Sequence, residues 1–342
     1  MRDDFVVKVA RNRDDAVRVA EFIEGIFGHG RDYILGHPDV QFAGSVRYVE
    51  HRGAVVSAHV LEHIELALGK GYAKAMRVEC VGTHKSFRGR GLCRMLMDHS
   101  LQYLKDNGIQ IAAIFGEPLF RKLGFEYCVP TYAQEMPIYS PPGSHIIPAA
   151  ALARFTDSRE VDPLEPGDIP AIGRLHQRDN PQGNLSRRRS MTYWTFLVSD
   201  RGIQTYRIVR SGKSVAAYLR VESSPAGVRV REIVAATPDI CACLLHQVYE
   251  IAQSEKAVTI TFHCPHRGTF GHFVRMHGAA AYSPFAERAT ALQLRILDLT
   301  GCLRLLQDTL STRLKHSELA RATGRYRLTT DDDEATVEIR KG

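Results

Sequence analysis

The stretch that decides the fold runs from residue 76 to residue 97 and reads MRVECVGTHKSFRGRGLCRMLM. Residues 78–83 are short and largely apolar, which is typical of a β-strand. Residues 84–90 are polar and basic, and from Gly91 onward apolar residues recur at helical spacing. The pattern therefore predicts a strand, a glycine-containing turn and a helix that ends near Gly108.

The predicted turn has the composition of a site for phosphate groups. A helix start presents backbone N–H groups without intrahelical partners, and the helix dipole is positive there. Gly89 and Gly91 lack side chains, so an anion can approach the backbone closely, and Arg88 and Arg90 add positive charge. The sequence contains no Gly-x-x-x-x-Gly-Lys-Ser/Thr run, which excludes a Walker A loop. We therefore predict a diphosphate-binding loop of another class.

Two motifs in this region resemble those of the GNAT acetyltransferase superfamily. The spacing Arg88-x-x-Gly91-x-Cys93 resembles the family's acyl-coenzyme-A loop, Arg/Gln-x-x-Gly-x-Gly/Ala, with a small cysteine in place of the final residue. Downstream, LFRKLGF at residues 119–125 resembles the family's second motif, aromatic-x-x-x-Gly-Phe. Two motifs in the correct order are much more specific than one glycine-rich loop.

The resemblance implies an acetyl-CoA-dependent N-acetyltransferase in which acetyl-CoA is a cosubstrate and no metal takes part. Members of the family hold acetyl-CoA between two separating central strands, and a free amine attacks the thioester directly, without an acyl-enzyme. A backbone N–H near Val81 would stabilise the oxyanion. By this resemblance, the residues that bind acetyl-CoA are Cys80, Val81, Gly82, Arg88, Gly89, Arg90, Gly91, Leu92 and Cys93.

The catalytic acid and base are less clearly indicated. Many relatives use a tyrosine of the second motif as the acid, but this chain has Phe120 there. Tyr127 is the nearest substitute on sequence, and water is another. Glu79 and Glu117, near the ends of the two separating strands, are candidate bases, although each can equally be an ordinary carboxylate at a strand end. Direct transfer needs no nucleophile, so the cysteines are interpreted as small apolar residues.

Composition and charge are those of an ordinary globular protein. The 342 residues are 44% hydrophobic and 24% charged, which suffices for two or three domains with proper cores. No apolar run reaches transmembrane length, the N-terminus lacks a signal core, and the seven cysteines show no paired spacing. We therefore expect reduced thiols, a cytoplasmic protein and no membrane partner. The net charge of +7 suits an anionic cofactor and would also suit nucleic acid.

A further motif, HVLEH at residues 59–63, has the His-x-x-Glu-His spacing of some zinc proteases. That chemistry needs a helix, whereas the alternation of apolar residues predicts a strand here. We therefore interpret His59 and His63 as histidines that face solvent or a cleft on a half-buried strand, and we predict no metal site. A second group also lacks standard ligand spacing and is interpreted as loop residues: His263, Cys264, His266 and His272.

The second half of the chain repeats the predicted element order of the first half. A hairpin, a strand, a helix, a strand and an aromatic-to-glycine segment follow one another between residues 206 and 279. The helix begins at ATPD, residues 236–239, without glycines or arginines. We therefore predict a GNAT-like domain that lacks an acyl-CoA loop, closed by a strand at residues 292–298.

We predict an α+β fold of tandem GNAT folds, each a mixed, mostly antiparallel sheet flanked by helices, plus a short C-terminal α/β segment. The predicted divisions are a GNAT N-acetyltransferase domain at 1–140, a linker at 141–160, a degenerate GNAT-like domain at 161–298 and a partial sterol-carrier-protein-like segment at 299–342. This organisation resembles the "enhanced intracellular survival" group of bacterial acetyltransferases, which ends in a complete sterol-carrier-protein-like domain.

Two functions are consistent with the sequence. The first is an N-acetyltransferase acting on an amine of a small molecule or a protein. The second is a non-catalytic acyl-CoA-binding sensor or scaffold, for which Phe120 argues. Basic residues are spread along the chain apart from residues 187–189, and no nucleic-acid motif occurs, so nucleic acid is not an expected partner. The sequence leaves open the acceptor and whether the chain forms a homo-oligomer.

Overall fold

The structure is a computed structural model that describes residues 5–40, 42–116, 118–129, 133–137, 161–179, 185–199, 204–224, 227–264, 268–277, 279–282, 292–331 and 333–340. The predicted linker at 141–160 lies outside these residues. The helices are α1 (Arg13–Phe27), α2 (Arg31–Gly36), α3 (Phe42–Ser45), α4 (Leu92–Asp106), α5 (Ile169–Asp179), α6 (Met191–Ser199), α7 (Pro238–Ser254), α8 (Thr269–Met276) and α9 (Leu299–Lys315). The strands are β1 (Phe5–Val9), β2 (Val46–His51), β3 (Ala54–Leu68), β4 (Gly71–Thr83), β5 (Ile111–Phe115), β6 (Glu126–Val129), β7 (Ala133–Pro137), β8 (Val161–Pro163), β9 (Arg187–Arg188), β10 (Gln204–Ser211), β11 (Ser214–Ser224), β12 (Gly227–Val234), β13 (Thr259–Phe262), β14 (Ala280–Tyr282), β15 (Leu292–Ile296), β16 (Gly324–Thr329) and β17 (Glu334–Ile339).

The chain divides into two compact units. Unit 1 consists of Met1–Val129, Pro181–Arg188 and Ala291–Gly342, and unit 2 consists of Pro130–Asn180 and Arg189–Thr290. Each unit therefore draws on more than one stretch of the sequence, whereas each predicted domain is one continuous stretch.

The large sheet of unit 1 has the strand order β1-β2-β3-β4-β5-β15-β6, and β9 pairs with one end of β3. Neighbouring strands are antiparallel except β4 and β5, which run parallel over residues 75–78 and 111–114. Two helices, α1 and α4, cover opposite faces of this sheet. Their buried residues are Ala16, Val19, Ala20 and Ile23 on α1 and Leu92, Leu96, Met97, Ser100, Leu101 and Leu104 on α4.

Strand β3 is buried on both faces because α1 and α4 pack against it from opposite sides. The prediction that His59 faces solvent or a cleft is therefore wrong. Its side chain is fully buried, and its Nε2 lies 2.7 Å from the Oγ of Ser100 on α4. Arg47, the cross-strand neighbour of His59 on β2, is also buried and donates to His99 Nδ1 at 2.9 Å. A two-residue alternation separates the two faces of a strand, but it does not tell whether a second layer covers the polar face.

The sheet of unit 2 has the order β8-β10-β11-β12-β13-β7-β14. Here too the fourth and fifth strands, β12 and β13, form the parallel pair, and the other neighbours are antiparallel. Helix α7 packs in the apolar cluster on one side, and α5 and α6 pack in another cluster. Both sheets are mixed, mostly antiparallel and flanked by helices, which confirms the predicted fold class.

Each sheet contains one strand from the other half of the sequence. β7 follows β6 directly in the chain, yet it pairs with β13 and β14 in unit 2. β15 follows the strands of unit 2, yet it lies between β5 and β6 in unit 1. The strand predicted to close the second domain at residues 292–298 therefore belongs to the sheet of unit 1, and β7, which lies within the predicted first domain at 1–140, belongs to the sheet of unit 2. Both strands take the sixth position of their sheets, and a local pattern predicts a strand without telling which of two similar sheets it joins.

Helix α9 packs against β3 and β4 within unit 1. Cys302 lies in the same buried cluster as Ile64 of β3 and Ala73 of β4. A Cβ on Gly69, in the turn between these strands, would overlap the carbonyl oxygen of Leu305 on α9. Strands β16 and β17 follow as a two-stranded antiparallel sheet. The sterol-carrier-protein resemblance of this segment stays a prediction. None of the described helices has the length and apolar character needed to cross a membrane.

Candidate active site

The two parallel strands of unit 1 separate at one point. Their pairing ends at Val78 of β4 and Ile114 of β5. β4 continues along β3 to Thr83, whereas β5 ends at Phe115. A gap therefore opens between the strands at their carboxyl ends, where β4 leads into the turn before α4. Ligands of sheets with parallel strands commonly bind at such an edge.

A β-bulge on β4 lies beside this gap. Ala58 pairs with Gly82 and Val60 pairs with Glu79, so Cys80 and Val81 together face a single residue of β3. Cys80 has a φ of +54°, in the left-handed region that non-glycine residues rarely adopt. Because a bulge takes backbone groups out of register with the neighbouring strand, it can direct an N–H group of this pair toward the gap. Such strain is common at functional sites.

The start of α4 has the geometry of an anion site. Its N-cap is Gly91, with a φ of +78°, and Gly89 two residues earlier has a φ of +77°. No side chain among the described residues caps the helix, and no acidic residue lies in its first turn. The first intrahelical bond runs from the Met95 N–H to the Gly91 carbonyl at 2.9 Å. The N–H groups of the first turn therefore point out of the helix, as an anion requires.

Neighbouring side chains hold the turn and leave its surface open. Arg88 donates its Nε to the Thr83 carbonyl at 3.1 Å, and Arg90 lies over the Phe87 ring at 5.3 Å. The Leu92 side chain is buried, so this residue can offer a ligand only its backbone. A Cβ on either glycine of the turn would meet no atom of the described residues within 4 Å. The positive φ values therefore require the glycines, and the space above them is open.

Three other predicted acyl-CoA residues are held by packing. A Cβ on Gly82 would lie 2.9 Å from Ile26 Cδ1, so a glycine lets α1 pack closely on β4. Burial raises the pKa of the Cys80 thiol to about 12, and burial also raises the pKa of Cys93. Since the thiolate is the nucleophilic form of cysteine, neither side chain is activated for attack.

A buried carboxylate that the sequence analysis did not select lies near this site. Glu62 of β3 is fully buried and lies 2.6 Å from Arg77 of β4, 2.6 Å from Arg187 of β9 and 3.0 Å from His37 Nε2. Burial alone would raise the pKa of Glu62, but the interaction with His37 and the charges of both arginines lower it to about 2. Glu62 is therefore ionised at neutral pH. The sequence did carry a signal for Glu62: a charged residue within a largely apolar strand is rarely buried unless it has a charged partner.

Arg77 connects Glu62 to the predicted base Glu79. The Nε of Arg77 lies 2.7 Å from Glu79 Oε1, and the same guanidinium contacts Glu62 Oε2. Glu79 precedes the bulge directly, and 24% of its side chain is exposed. Burial raises the pKa of Glu79, while the charge of Arg77 opposes that effect. A raised carboxylate pKa brings the group closer to what a general base needs near neutral pH.

The three consecutive arginines at residues 187–189 are paired with carboxylates. Arg187 forms ion pairs with Asp39 and Glu62. Arg188 pairs with Glu65, and Arg189 pairs with Glu232. This last pair is bidentate, at 2.8 and 3.0 Å. This basic run therefore belongs to the internal charge network of the folded units.

Three residues of the network lie close enough to ligate a metal ion. One ligand atom from each of His37, Asp39 and Glu62 lies within 4.8 Å of the others. Arg187 lies 2.7 Å from Asp39 and 2.6 Å from Glu62, so its guanidinium supplies positive charge at this place. Of the group predicted not to bind metal, His266 lies outside the described residues.

The other predicted catalytic residues are placed differently. Tyr127 lies on β6, which β15 separates from β5. Its hydroxyl is buried and has no hydrogen-bond partner among the described residues. Glu117 lies outside the described residues. Phe120 is buried and packs edge-on against Phe125, with ring centroids 6.4 Å apart. Of the three predicted catalytic residues, the structure brings Glu79 to the gap between β4 and β5.

The corresponding helix start in unit 2 is capped by the chain itself. The Oγ1 of Thr237 accepts the Ile240 N–H at 3.4 Å, and Asp239 places negative charge in the first turn of α7. The hydroxyl occupies a backbone N–H group that a phosphate would need, and the carboxylate would repel the phosphate charge. The start of α7 therefore differs from that of α4 in the property that permits anion binding.

Comparisons with known proteins agree with this geometry. Residues 13–128 match the family model described as the acetyltransferase (GNAT) domain. Within unit 1, residues 13–128 therefore resemble a GNAT acetyltransferase domain. The matched residues include β4, the turn and α4, so the GNAT match contains the whole gap and the uncapped helix start. No curated protein matches the chain.

Several solved structures share the fold. A GCN5-related N-acetyltransferase from Kribbella flavida is 19% identical, with a TM-score of 0.64 over 86% of this chain and 72% of that one. A GCN5-related N-acetyltransferase from Anabaena variabilis is 15% identical, with a TM-score of 0.67 over 99% of this chain and 84% of that one. Eis1 from Mycobacterium abscessus is 13% identical, with a TM-score of 0.58 over 88% and 76%. At these identities the likeness shows the fold alone, and together with the GNAT domain match it supports acyl transfer in general.

Proposed function

We propose that this chain is an acetyl-CoA-dependent N-acetyltransferase that acts on a primary amine. The observation that carries the proposal is the meeting of two features at one edge of the sheet. β4 and β5 separate after Val78 and Ile114, and the helix that follows β4 begins at the uncapped Gly91. The gap between the strands suits a thin acyl chain, and the uncapped helix start suits a diphosphate. Acetyl-CoA contains both groups in one molecule.

The binding residues follow from this geometry. The N–H groups of the first turn of α4, with Gly89 and Gly91 at positive φ, would hold the diphosphate. Among the described residues, no strand pairs with β4 beyond Val78 on the β5 side, so the backbone of this stretch can bind the pantetheine amides. This arrangement would direct the thioester toward the bulge at Cys80 and Val81.

The chemistry needs a proton acceptor and an oxyanion donor. The amine nitrogen forms a bond to the acetyl carbon, and the bond from that carbon to sulfur then breaks. Glu79 would accept the proton that the attacking amine loses, and the thiolate of CoA takes a proton from solvent or from Glu79. A backbone N–H of the bulge would donate to the oxyanion, where a preorganised donor is most effective. Burial raises the pKa of Glu79 toward the range that this role needs.

Thermal unfolding with and without acetyl-CoA tests the binding step. At a concentration 100 times Kd the ligand should add about 2.7 kcal/mol and raise Tm by a few degrees. Gly91→Glu places a carboxylate at the anion site and should abolish the rise. Gly91→Ala imposes the same backbone strain without charge and is the matched control, which should retain part of the rise. An absent rise in the folded wild type would refute the proposal.

Thiol release during incubation with a panel of amines tests turnover. Polyamines, aminoglycosides and lysine-containing peptides represent the small-molecule and protein acceptors that remain open. Glu79→Gln should lower kcat by about 100-fold or more if it removes the base. Acetyl-CoA binding without thiol release for any amine would instead support the second function, a non-catalytic acyl-CoA sensor or scaffold. The location that we propose is the reducing cytoplasm, because the seven cysteines of the sequence show no paired spacing.

A further inference from the structure

The position of Glu62 calls for a physical reason. Glu62 is fully buried on β3, where most of the other buried positions are apolar. Burying a charge costs several kcal/mol unless its partners compensate, and an apolar side chain of similar size often serves stability equally well. Three partners from three different elements nevertheless converge on this one carboxylate. They are Arg77, Arg187 and His37.

The geometry links Glu62 to the site through one side chain. Arg77 and Glu62 are cross-strand neighbours, and the Arg77 guanidinium contacts Glu62 Oε2 at 2.6 Å and Glu79 Oε1 at 2.7 Å. We infer that Glu62 is a positioning residue, which shares the Arg77 guanidinium with Glu79 and so limits how strongly Arg77 holds the Glu79 carboxylate beside the gap between β4 and β5. This inference rests on the proposed function, in which Glu79 is the base.

The surroundings of Glu79 determine the direction of the effect. Several titratable or charged groups act on Glu79 or adjoin it. They are Arg77 and Cys80 on its own strand, Glu62 on β3, Arg187 on β9, Tyr33 on α2 and His37 after α2. Glu62 raises the pKa of Glu79 by like-charge repulsion, and Arg187 lowers it by attraction. Glu62 also shares the Arg77 guanidinium, so without Glu62 the guanidinium can interact more fully with Glu79. Loss of Glu62 and loss of Arg187 should therefore move the ionisation of Glu79 in opposite directions.

The pH dependence of kcat/KM separates these effects. The acidic limb of the profile should follow the ionisation of Glu79, because the proposed base acts as the carboxylate. Glu62→Gln should move this limb to lower pH and Arg187→Gln should move it to higher pH, each by roughly half to one unit. Arg188→Gln is the matched control, because Arg188 comes from the same segment but pairs with the half-exposed Glu65. The control should leave the limb unchanged.

A second measurement does not depend on turnover. In protein labelled with ¹³C-glutamate, the carboxyl resonance missing from Glu79→Gln identifies Glu79, and its titration can be followed in each variant. Because Glu62→Gln leaves two arginines without their buried partner and can impair folding, Arg187→Gln, which keeps the pair of Glu62 and Arg77, is the second variant.

The outcomes distinguish the two proposals. A Glu79 resonance that moves down in Glu62→Gln and up in Arg187→Gln supports the positioning role, even when no acceptor is known. An unchanged Glu79 titration in folded variants overturns that role. Full activity of Glu79→Gln overturns the proposed base instead, and it leaves the measured coupling between Glu62 and Glu79 as a separate result.

Discussion

A chain that ends at residue 140 should not fold as unit 1, because that unit needs β15 from Leu292–Ile296. β15 lies between β5 and β6 and pairs with both in antiparallel ladders. Without it, β5 becomes an open edge, although its Ala112, Ala113 and Ile114 are buried in the intact protein. The complementary fragment, residues 141–342, lacks β7 from the middle of its own sheet.

The cost can be worked from the buried side chains of this segment. Leu294 and Leu297 are 7% and 6% exposed. Burial of a leucine contributes about 1.5–3 kcal/mol, so these two side chains together account for roughly 3–6 kcal/mol. Gln293 is fully buried and donates to the Gly116 carbonyl at 2.8 Å, and each such hydrogen bond adds about 1 kcal/mol. Because a whole domain is stable by only about 5–15 kcal/mol, the fragment should be largely unfolded.

Fragment complementation tests this reasoning. Residues 1–140 and 141–342 are expressed separately, and their unfolding in urea is followed by circular dichroism before and after mixing. Neither fragment alone should show a cooperative transition, whereas the mixture, which contains every residue, should form a 1:1 complex that unfolds cooperatively. A cooperative transition of the 1–140 fragment alone, with a rise in Tm on addition of acetyl-CoA, would refute the exchange of strands.

Three further predictions concern single side chains. Burial and the charge of Arg47 lower the pKa of His59 from 6.5 to about 3, so below pH 6.5 the unfolded state binds more protons and the protein becomes less stable as the pH falls. The loss between pH 7 and pH 4.5 should be about 2–3 kcal/mol, and urea unfolding of His59→Gln should lack this increment. An identical pH dependence of both proteins would contradict the burial of a neutral imidazole. Gly69→Ala should lower the free energy of unfolding by about 2 kcal/mol or more beyond the effect of Gly53→Ala, as measured by thermal unfolding. Both glycines have a positive φ, but of the two only a Cβ on Gly69 would overlap neighbouring backbone. Equal effects of the two substitutions would argue against the close approach of α9. Tyr127→Phe removes a buried hydroxyl that has no hydrogen-bond partner among the described residues. The variant should have an unchanged or higher Tm and a kcat within a few-fold of the wild type. A loss of about 100-fold in kcat would instead support Tyr127 as the acid.

The central stretch was predictable because its signals are local. The prediction of a helix that begins at Gly91 and stops near Gly108 compares with an observed α4 of Leu92–Asp106, with Gly91 as its N-cap. Glycine spacing and apolar periodicity are properties of neighbouring residues, so they can be interpreted without knowledge of the rest of the fold. The GNAT match over residues 13–128 supports the family resemblance that the same residues indicated.

The features that escaped prediction depend on distant parts of the chain. The His-x-x-Glu-His motif was rejected as a metalloprotease signature because it lies on a strand, and Glu62 was not selected; its partners include Arg187, which is far away in sequence. His59 was placed at a surface because its strand alternates, although α4 buries it. β15 has an ordinary strand pattern, and only the completed sheet of unit 1 shows where it pairs. In each case the deciding contact lies across the fold, where propensity and periodicity carry no information.

The two units also show why the fold alone does not determine the chemistry. Both contain a register shift on the fourth strand of the sheet, at Cys80 and Val81 in unit 1 and at Arg231 in unit 2. The helices that follow differ at their first turns: α4 begins at a bare glycine, whereas α7 begins with the hydroxyl cap of Thr237 and an acidic residue. A cap and a favourable charge stabilise a helix by about 0.5–2 and 0.3–1 kcal/mol respectively. α4 forgoes both contributions, and a bound anion would supply the missing interactions. The difference between the two helix starts therefore argues for a ligand at α4 more directly than the similarity of the two sheets does.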